Sequence, residues 1–309
     1  MVRQLIGLQL QKYYQILNFM KSGGCVLLDG ATGTELERRG VPQIANAWNG
    51  GGALSHPDIL KNIHKSYIKS GAQIIISNTF ATCKHTLKDA DQLHNFEKLN
   101  SAGVRLAKES REEISGKNIL VAGGISYWSF TGNHPPLEHL RSNIAQQSHI
   151  LASSGADLLM LEMMVDIDRM LVTLEAAQQT KLPVWVGVSC IPDPTGRMCL
   201  ENGDPLDEAV YQLLDKNVDV INIMHTDVEF VDEALEILKT NWPGLIGVYA
   251  HSGKMINNNW TFENIISHES YASHVERWMD KGISLVGGCC GITTEHIQHI
   301  ADHLFGQSD

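Results

Sequence analysis

The stretch Ile283-Ser284-Leu285-Val286-Gly287-Gly288-Cys289-Cys290-Gly291 joins a short apolar run to two adjacent cysteines between glycines. A short apolar run of this kind is typical of a strand that is buried on both faces, as in a parallel sheet. Glycines directly after the strand let the backbone bend, so both thiols can face one soft metal ion. The stretch therefore predicts a buried strand with thiol chemistry at its end.

Seven further segments of the chain share this short, apolar and β-branched character, and helical patterns separate them. The eight candidate strands lie at residues 25–28, 73–77, 119–122, 157–161, 183–188, 218–223, 245–249 and 283–286. Eight strands that alternate with helices are the pattern of an α/β fold of the (β/α)8 barrel type. Because no Pro-rich or Ser-rich linker divides the chain, we expect a single domain over residues 1–309, with its core at about 25–305.

Charge and composition restrict the class of partner. The chain carries 24 Lys and Arg against 35 Asp and Glu, a net charge of −11, which argues against nucleic acid or an anionic membrane as partner. Residues 1–20 are apolar but interrupted by Gln and Lys, which predicts an extra amphipathic helix before the barrel and neither a signal peptide nor a membrane span. Six scattered cysteines do not resemble a disulfide framework, so we expect a reducing, cytoplasmic compartment. Small molecules are the expected partners, and the sequence leaves an oligomer open.

The residues that follow each strand carry the candidate chemistry, because active sites of such barrels gather at the carboxyl ends of the strands. Acids, amides, imidazoles and thiols all fall at this rim. In strand order they are Asp29-Gly30, Asn78-Thr79-Phe80, Gly123-Gly124, Glu162, Ser189-Cys190, His225, His251 and Cys289-Cys290. The run of asparagines at 257–259 predicts a solvated loop near this rim.

The last three strands are neighbours in a closed barrel, so their terminal side chains can converge. We expect His225, Cys289 and Cys290 to hold a zinc ion, because zinc accepts mixed nitrogen and sulfur ligands. His251 is a further candidate ligand or a supporting residue. The alternative is that the cysteines are small packing residues and the histidines are ordinary loop side chains.

Two carboxylates, Asp29 and Glu162, are expected to hold a substrate ammonium or to act as acid and base. Both follow apolar strands, where a charge needs a partner. For Asp29, which precedes Gly30-Ala31-Thr32-Gly33, a role as turn or helix N-cap residue is the competing interpretation. These glycines and threonines could also cradle a phosphate, but no lysine follows at the required spacing.

Several of these motifs together resemble the homocysteine S-methyltransferase family. The matching segments run in order along the chain: residues 29–40 (DGATGTELERRG), Asn78-Thr79-Phe80, Glu162, Gly287-Gly288-Cys289-Cys290-Gly291 and Glu295-His296-Ile297. The resemblance implies a zinc-dependent barrel enzyme that methylates the thiol of homocysteine to give methionine. It also implies that Cys289 and Cys290 bind zinc, that Asp29 and Glu162 lie near the amino end of homocysteine, and that the substrate pocket includes Gly30, Thr32, Asn78, Thr79 and Phe80.

The sequence departs from this family at three rim positions, and the first is Met163, which follows Glu162 where threonine is common. The third zinc ligand of the family is the cysteine of an Asn-Cys pair, and here that pair aligns with Met224-His225. His251 stands where the family usually has asparagine. A His-Cys-Cys site carries one negative charge less than a three-cysteine site and makes the metal more Lewis-acidic.

The expected methyl donor is a small sulfonium such as S-methylmethionine, with betaine as an alternative. An aromatic wall would favour a cationic donor, and Phe80, Tyr127 and Trp128 are candidates for it. Three other activities stay open: methylation of another thiol, metal-assisted hydrolysis with Glu162 as base, and a barrel that binds zinc without catalysis.

Overall fold

Eight parallel strands form one sheet in the computed structural model, which describes residues 2–114, 118–256, 259–261 and 265–306. We label these strands β1 to β8 in chain order. They are β1 (Val26–Leu27), β2 (Ile74–Ile76), β3 (Leu120–Ile125), β4 (Leu158–Met164), β5 (Val184–Val188), β6 (Val220–Asp227), β7 (Leu245–His251) and β8 (Leu285–Val286). Each strand pairs with the next, β8 pairs with β1, and a parallel bridge between Leu28 and Ile74 joins β1 to β2. The sheet thus closes into the predicted (β/α)8 barrel.

Helices surround the barrel and cover its outer face and one of its ends. Their bounds are Val2–Lys21, Thr32–Arg38, Gly52–Ser55, Pro57–Lys69, Lys84–Asp89, Phe96–Glu113, Leu137–Ser154, Ile167–Gln178, Leu206–Leu213, Val231–Asn241, His268–Asp280 and Thr294–Ile300, followed by a π-helical turn at Ala301–Phe305. Two short hairpins stand at the rim, Cys190–Pro192 with Met198–Leu200 and Lys254–Ile256 with Asn259–Thr261. Asn259, predicted to lie in a loop, begins a hairpin strand, and residues 257 and 258 of that predicted loop lie outside the described residues. In the part of the chain that the structure describes, no helix has both the length and the apolar character needed to cross a bilayer.

Four barrel strands extend further toward the rim than the sequence predicts. β3 continues to Ile125, β4 to Met164, β6 to Asp227 and β7 to His251. Glycine and polar residues resemble strand ends in a sequence, but here backbone pairing continues past them, with shifts of register in β4 and β6. Glu162, His225 and His251 therefore lie within strands and not after them.

The helix Val2–Lys21 closes the end of the barrel opposite the rim, which confirms the predicted extra helix. Its buried residues Tyr13, Ile16, Leu17 and Met20 pack against the apolar interior of the barrel. The Tyr13 hydroxyl donates to Asp219 Oδ2 at 2.6 Å and accepts a hydrogen bond from Trp185 Nε1 at 3.0 Å. Because Trp185 is fully buried, this hydroxyl is the partner that its indole N–H needs.

Replacing Tyr13 by phenylalanine tests how firmly this helix is fixed. The ring is kept, but the buried Trp185 N–H loses its acceptor, so we expect the free energy of unfolding to fall by about 1–3 kcal/mol. Urea unfolding of Tyr13→Phe measures this loss. Tyr14→Phe, at the neighbouring half-exposed position, is the matched control and should stay within about 0.5 kcal/mol of wild type. Equal values for the two variants would contradict a specific anchoring role for Tyr13.

Candidate functional site

Two connected pockets open at the carboxyl ends of the strands. The inner pocket is narrow, and its wall carries Glu162, His225, Cys289 and Cys290. The outer pocket is wider, and we call it the vestibule. The two share four wall residues: Trp48, Phe80, His225 and Cys290.

The two thiols are held by backbone pairing that continues beyond β8. The Cys289 N–H donates to the Ala250 carbonyl at 2.7 Å, and the Cys290 carbonyl accepts from the Ser252 N–H at 2.9 Å. Gly291 follows with a φ of 84°, and a Cβ atom there would lie 1.9 Å from the Ser252 carbonyl oxygen. This position therefore requires glycine both for its conformation and for the close approach of the β7 segment.

His225 lies in β6 at the point where the register shifts between Met224 and Asp227. Its φ is 53°, a left-handed conformation that costs a non-glycine residue about 1–3 kcal/mol and is concentrated at functional sites. The imidazole Nδ1 lies 2.9 Å from Cys289 Sγ, and the ring stacks on Phe80 with centroids 5.3 Å apart. Burial lowers the pKa of His225 to about 4, so the ring is neutral and able to act as a ligand.

Glu162 occupies a similar irregularity in β4. The register shifts between Leu161 and Met164, and Met163 has a φ of 57°. Glu162 Oε2 lies 3.7 Å from His225 Nε2, while Oε1 is buried and has no hydrogen-bond partner among the described residues. Burial raises the pKa of the carboxyl to about 8. Because Glu162 lines the inner pocket, an N–H of a bound ligand is a natural partner for this unpaired acceptor.

Asp29, Gly30 and Thr79 lie behind the pocket wall. Asp29 is completely buried, and its Oδ2 accepts the Ile76 N–H at 2.8 Å, so it bridges β1 to β2 where the barrel closes. Burial raises its pKa well above the usual range, and the neighbouring Glu162 charge adds to this. The Thr79 hydroxyl donates to the Gly124 carbonyl at 2.7 Å, and the Gly30 carbonyl accepts from Tyr249 at 3.0 Å.

Thr32, Asn78 and Phe80, three of the residues predicted to bind substrate, line the inner pocket. Sequence reasoning missed Trp48, Asn49 and Tyr249 on the same wall. Trp48 and Asn49 come from an irregular loop, and the side-chain oxygen of Asn49 is a second buried acceptor without a partner in the described part of the chain. Tyr249 could have been found from its inward-facing position near the end of β7.

The vestibule wall combines aromatic rings with carboxylates. Among the described residues that line it are Trp48, Phe80, Trp128, Phe130 and Phe230, together with Glu37, Glu201 and Asp227, and none is a lysine or arginine. His251 also lines it, with its Nε2 at 3.9 Å from Asp227 Oδ2. Tyr127, a candidate for this wall, is instead completely buried, and its hydroxyl binds the backbone of Val165 and Asp166.

The donor atoms at the inner pocket suit a zinc ion. Two thiolates bound tetrahedrally to one zinc at about 2.3 Å lie about 3.8 Å apart, and Cys289 Sγ and Cys290 Sγ are 3.7 Å apart. His225 supplies a neutral imidazole beside them. Within the described ranges, however, no three histidine, cysteine or carboxylate side chains are already arranged as a metal centre. Nitrogen and sulfur ligands of one tetrahedral zinc lie about 3.6 Å apart, so His225 Nδ1, now 2.9 Å from Cys289 Sγ, would have to move away from the thiol to bind a shared metal.

Comparisons with known proteins point to one family of methyltransferases. The sequence profile of the family described as Homocysteine S-methyltransferase matches residues 26–304. The chain is similar to homocysteine S-methyltransferase 1 of Zea mays, with 25% identity over 93% of this chain and 97% of that one. It is also similar to selenocysteine Se-methyltransferase of Brassica oleracea var. italica, with 26% identity over 95% and 93% of the two chains. The fold resembles the oxidized form of the homocysteine methyltransferase MmuM from Escherichia coli, with a TM-score of 0.75 and 23% identity over 92% of this chain and 96% of that one.

Gly291 gives a test of how tightly the thiol segment is packed. Gly291→Ala should cost more than 2 kcal/mol of unfolding free energy, on the order of the strain at a left-handed position plus a backbone clash. The matched control is Gly196→Ala, because Gly196 has nearly the same φ, 86°, and no atom within 4 Å of an added Cβ. Urea unfolding should show the larger loss for Gly291→Ala, and equal losses would contradict the close approach of Ser252.

Proposed function

Because the chain belongs to the homocysteine S-methyltransferase family, we propose that it transfers a methyl group from a small sulfonium donor to the thiol of homocysteine, giving methionine. S-Methylmethionine is the preferred donor and betaine is the alternative. The observation that carries this proposal is the convergence of His225, Cys289, Cys290 and Glu162 on one pocket, although they come from three strands far apart in the sequence. The proposed metal ligands suit a thiol, Glu162 suits an ammonium group, and the adjoining vestibule suits a cationic methyl donor.

The inner pocket suits the amino end of homocysteine. Its wall offers two buried acceptors that lack partners in the described part of the chain, Glu162 Oε1 and Asn49 Oδ1. An ammonium group carries three N–H donors and would satisfy both. A cation here also favours the ionised form of Glu162, which burial alone disfavours. We therefore assign Glu162 to the substrate ammonium, and Asp29 to support of the wall from behind through Tyr249 and Ile76.

His225, Cys289 and Cys290 would hold the zinc ion. When bound, zinc supplies the positive charge that keeps a coordinated thiol deprotonated at neutral pH. Burial raises the pKa of the Cys289 thiol well above its usual value, so the protein alone does not favour a thiolate there. The neutral His225 ring is already in the protonation state that a ligand needs.

The vestibule suits a cationic methyl donor. Phe80 and Trp48 belong to the walls of both pockets, so a donor in the vestibule would contact the rings that border the acceptor. Aromatic faces attract sulfonium and quaternary ammonium groups, and the carboxylates Glu37, Glu201 and Asp227 add a negative potential. The contribution of these residues is to align donor and acceptor and to exclude water from the line between them.

Metal content provides the first test. Purified under reducing conditions, the wild-type protein should contain about one zinc ion per chain, and Cys289→Ser and Cys290→Ser should each lose most of it. Cys25→Ser is the control, because Cys25 is also buried but precedes β1 at the opposite end of the barrel. Metal analysis and chelator competition measure the outcome. Folded wild-type protein that takes up no zinc would exclude the proposed metal site.

Methyl transfer provides the second test. Wild type should form methionine from homocysteine with S-methylmethionine as donor, and Glu162→Gln should lower kcat/KM by roughly 100-fold, since a charged partner of the substrate ammonium is worth about 3 kcal/mol. Glu97→Gln, at an exposed helical position, should leave the rate unchanged. If betaine replaces S-methylmethionine as the only active donor, the choice of donor changes but the reaction class stands.

The remaining activities would give different results in the same assay. Because one relative is a selenocysteine Se-methyltransferase, selenocysteine should be assayed beside homocysteine as acceptor. Transfer to selenocysteine alone would reassign the substrate. Stoichiometric zinc without transfer to either acceptor would favour the non-catalytic barrel or a hydrolytic activity.

A further inference from the structure

Four histidines form a cluster on the outside of the barrel, where two helices pack against each other. His268 begins one of these helices, and the other three lie on the next helix and the π-helical turn that continues it. The ring centroids are 4.4 Å apart for His268 and His296, 6.4 Å for His268 and His299, and 4.1 Å for His299 and His303. The proposed methyl transfer uses none of the four.

His296 has a structural role, because both of its ring nitrogens already have partners. Nδ1 accepts the Thr293 N–H at 3.2 Å, which closes the capping box at the start of this helix. Nε2 donates to the Ile266 carbonyl oxygen, 2.9 Å away. A neutral imidazole has one donor and one acceptor, so His296 has no nitrogen left for a ligand.

The other three rings are available to a ligand. No hydrogen bond joins a ring nitrogen of His268, His299 or His303 to another of the described residues. His303 is exposed, and His268 and His299 are partly exposed. Three imidazoles that a dissolved ion can reach therefore stand together at this surface.

His299 and His303 are spaced for chelation. Residues four apart lie on the same face of a helix, and two histidines at this spacing bind zinc in metalloproteases. The two rings are stacked, with their planes 24° apart. Two nitrogens bound tetrahedrally to one metal ion at about 2.1 Å lie about 3.4 Å apart. Because the ring centroids are already 4.1 Å apart, small rotations bring one nitrogen of each ring into place.

We propose that His299 and His303 form a metal site on the outer surface that takes divalent copper, nickel or zinc, with His268 as its third ligand. Imidazole suits these ions, and copper binds most tightly to such donors. His268 must approach from 6.4 Å, so in the described part of the chain the three donors are not yet assembled as a metal centre. Since this site has no thiolate, it holds zinc more weakly than the inner pocket, and purified protein should keep zinc only there. A bound ion would join the two outer helices.

Nickel titration tests the site in the full-length chain with Cys289→Ser and Cys290→Ser, which remove the proposed inner ligands. Calorimetry should detect one Ni²⁺ per chain, and the bound ion should raise the melting temperature. Residues that only support a metal ligand are worth roughly 10- to 100-fold in affinity, so His299→Gln and His303→Gln should each weaken binding at least about tenfold. His149→Gln, at an exposed histidine of another outer helix, is the matched control and should leave the affinity unchanged. Equal affinities for His299→Gln and His149→Gln would show adventitious binding only and would overturn the site.

Copper spectroscopy in the same chain tests the third ligand. With Cu²⁺ bound, pulsed electron paramagnetic resonance should detect three imidazoles, and His268→Gln should reduce them to two and weaken binding roughly tenfold. An unchanged spectrum and affinity in His268→Gln would overturn the role of His268 as a ligand. Both experiments are independent of the proposed function, because the inner thiols are absent: zinc-free wild type would exclude the inner metal site and leave these results unchanged.

Discussion

The geometry of the site depends on two breaks in the regular pairing of the barrel. β4 and β6 each shift register near the rim, and each contains a non-glycine residue with positive φ, Met163 in one and His225 in the other. In a regular parallel strand, side chains alternate between the barrel interior and the helices. The irregularities free Glu162 and His225 from that alternation, so His225 reaches Cys289 of the β8 segment and Glu162 reaches His225. Without them, the same residue types would stand at the rim without meeting.

Burial shifts the ionisable groups of the site toward their neutral forms. It raises the pKa of Glu162 to about 8, lowers that of His225 to about 4, and raises those of Asp29 and Cys289. The pocket thus gathers acidic groups in a medium that disfavours their charge. Cations are the ligands that reverse this preference, because a nearby positive charge stabilises carboxylate and thiolate. The same property suits the pocket to a metal ion and to a substrate ammonium.

Much of this arrangement was predictable from the sequence. The eight strands were found because each is a compact apolar run, and neighbouring strands in a closed barrel correctly brought His225 to Cys289. The sequence predicts ends of β4 and β6 that come too early, because polar residues such as Glu162 and His225 resemble the first residues after a strand. Trp48 and Asn49 cannot be found this way because they lie in an irregular loop, where Trp48 has a φ of 43°. In such a loop no periodic pattern in the sequence predicts which way a side chain points. The burial of Asp29 and Thr79 depends on contacts with β2 and β3 that no local pattern records.

Histidine in place of cysteine at position 225 links the metal ligands to the substrate pocket. A thiolate has one donor atom, whereas an imidazole has two ring nitrogens, separated by one ring carbon. In this chain one nitrogen faces Cys289 Sγ at 2.9 Å and the other faces Glu162 Oε2 at 3.7 Å. The carboxylate that we assign to the substrate ammonium therefore also adjoins the proposed metal ligand. A change in the charge or position of Glu162 on substrate binding would change the electrostatic potential at the imidazole directly. A cysteine at this position has no second ring nitrogen through which to provide this coupling.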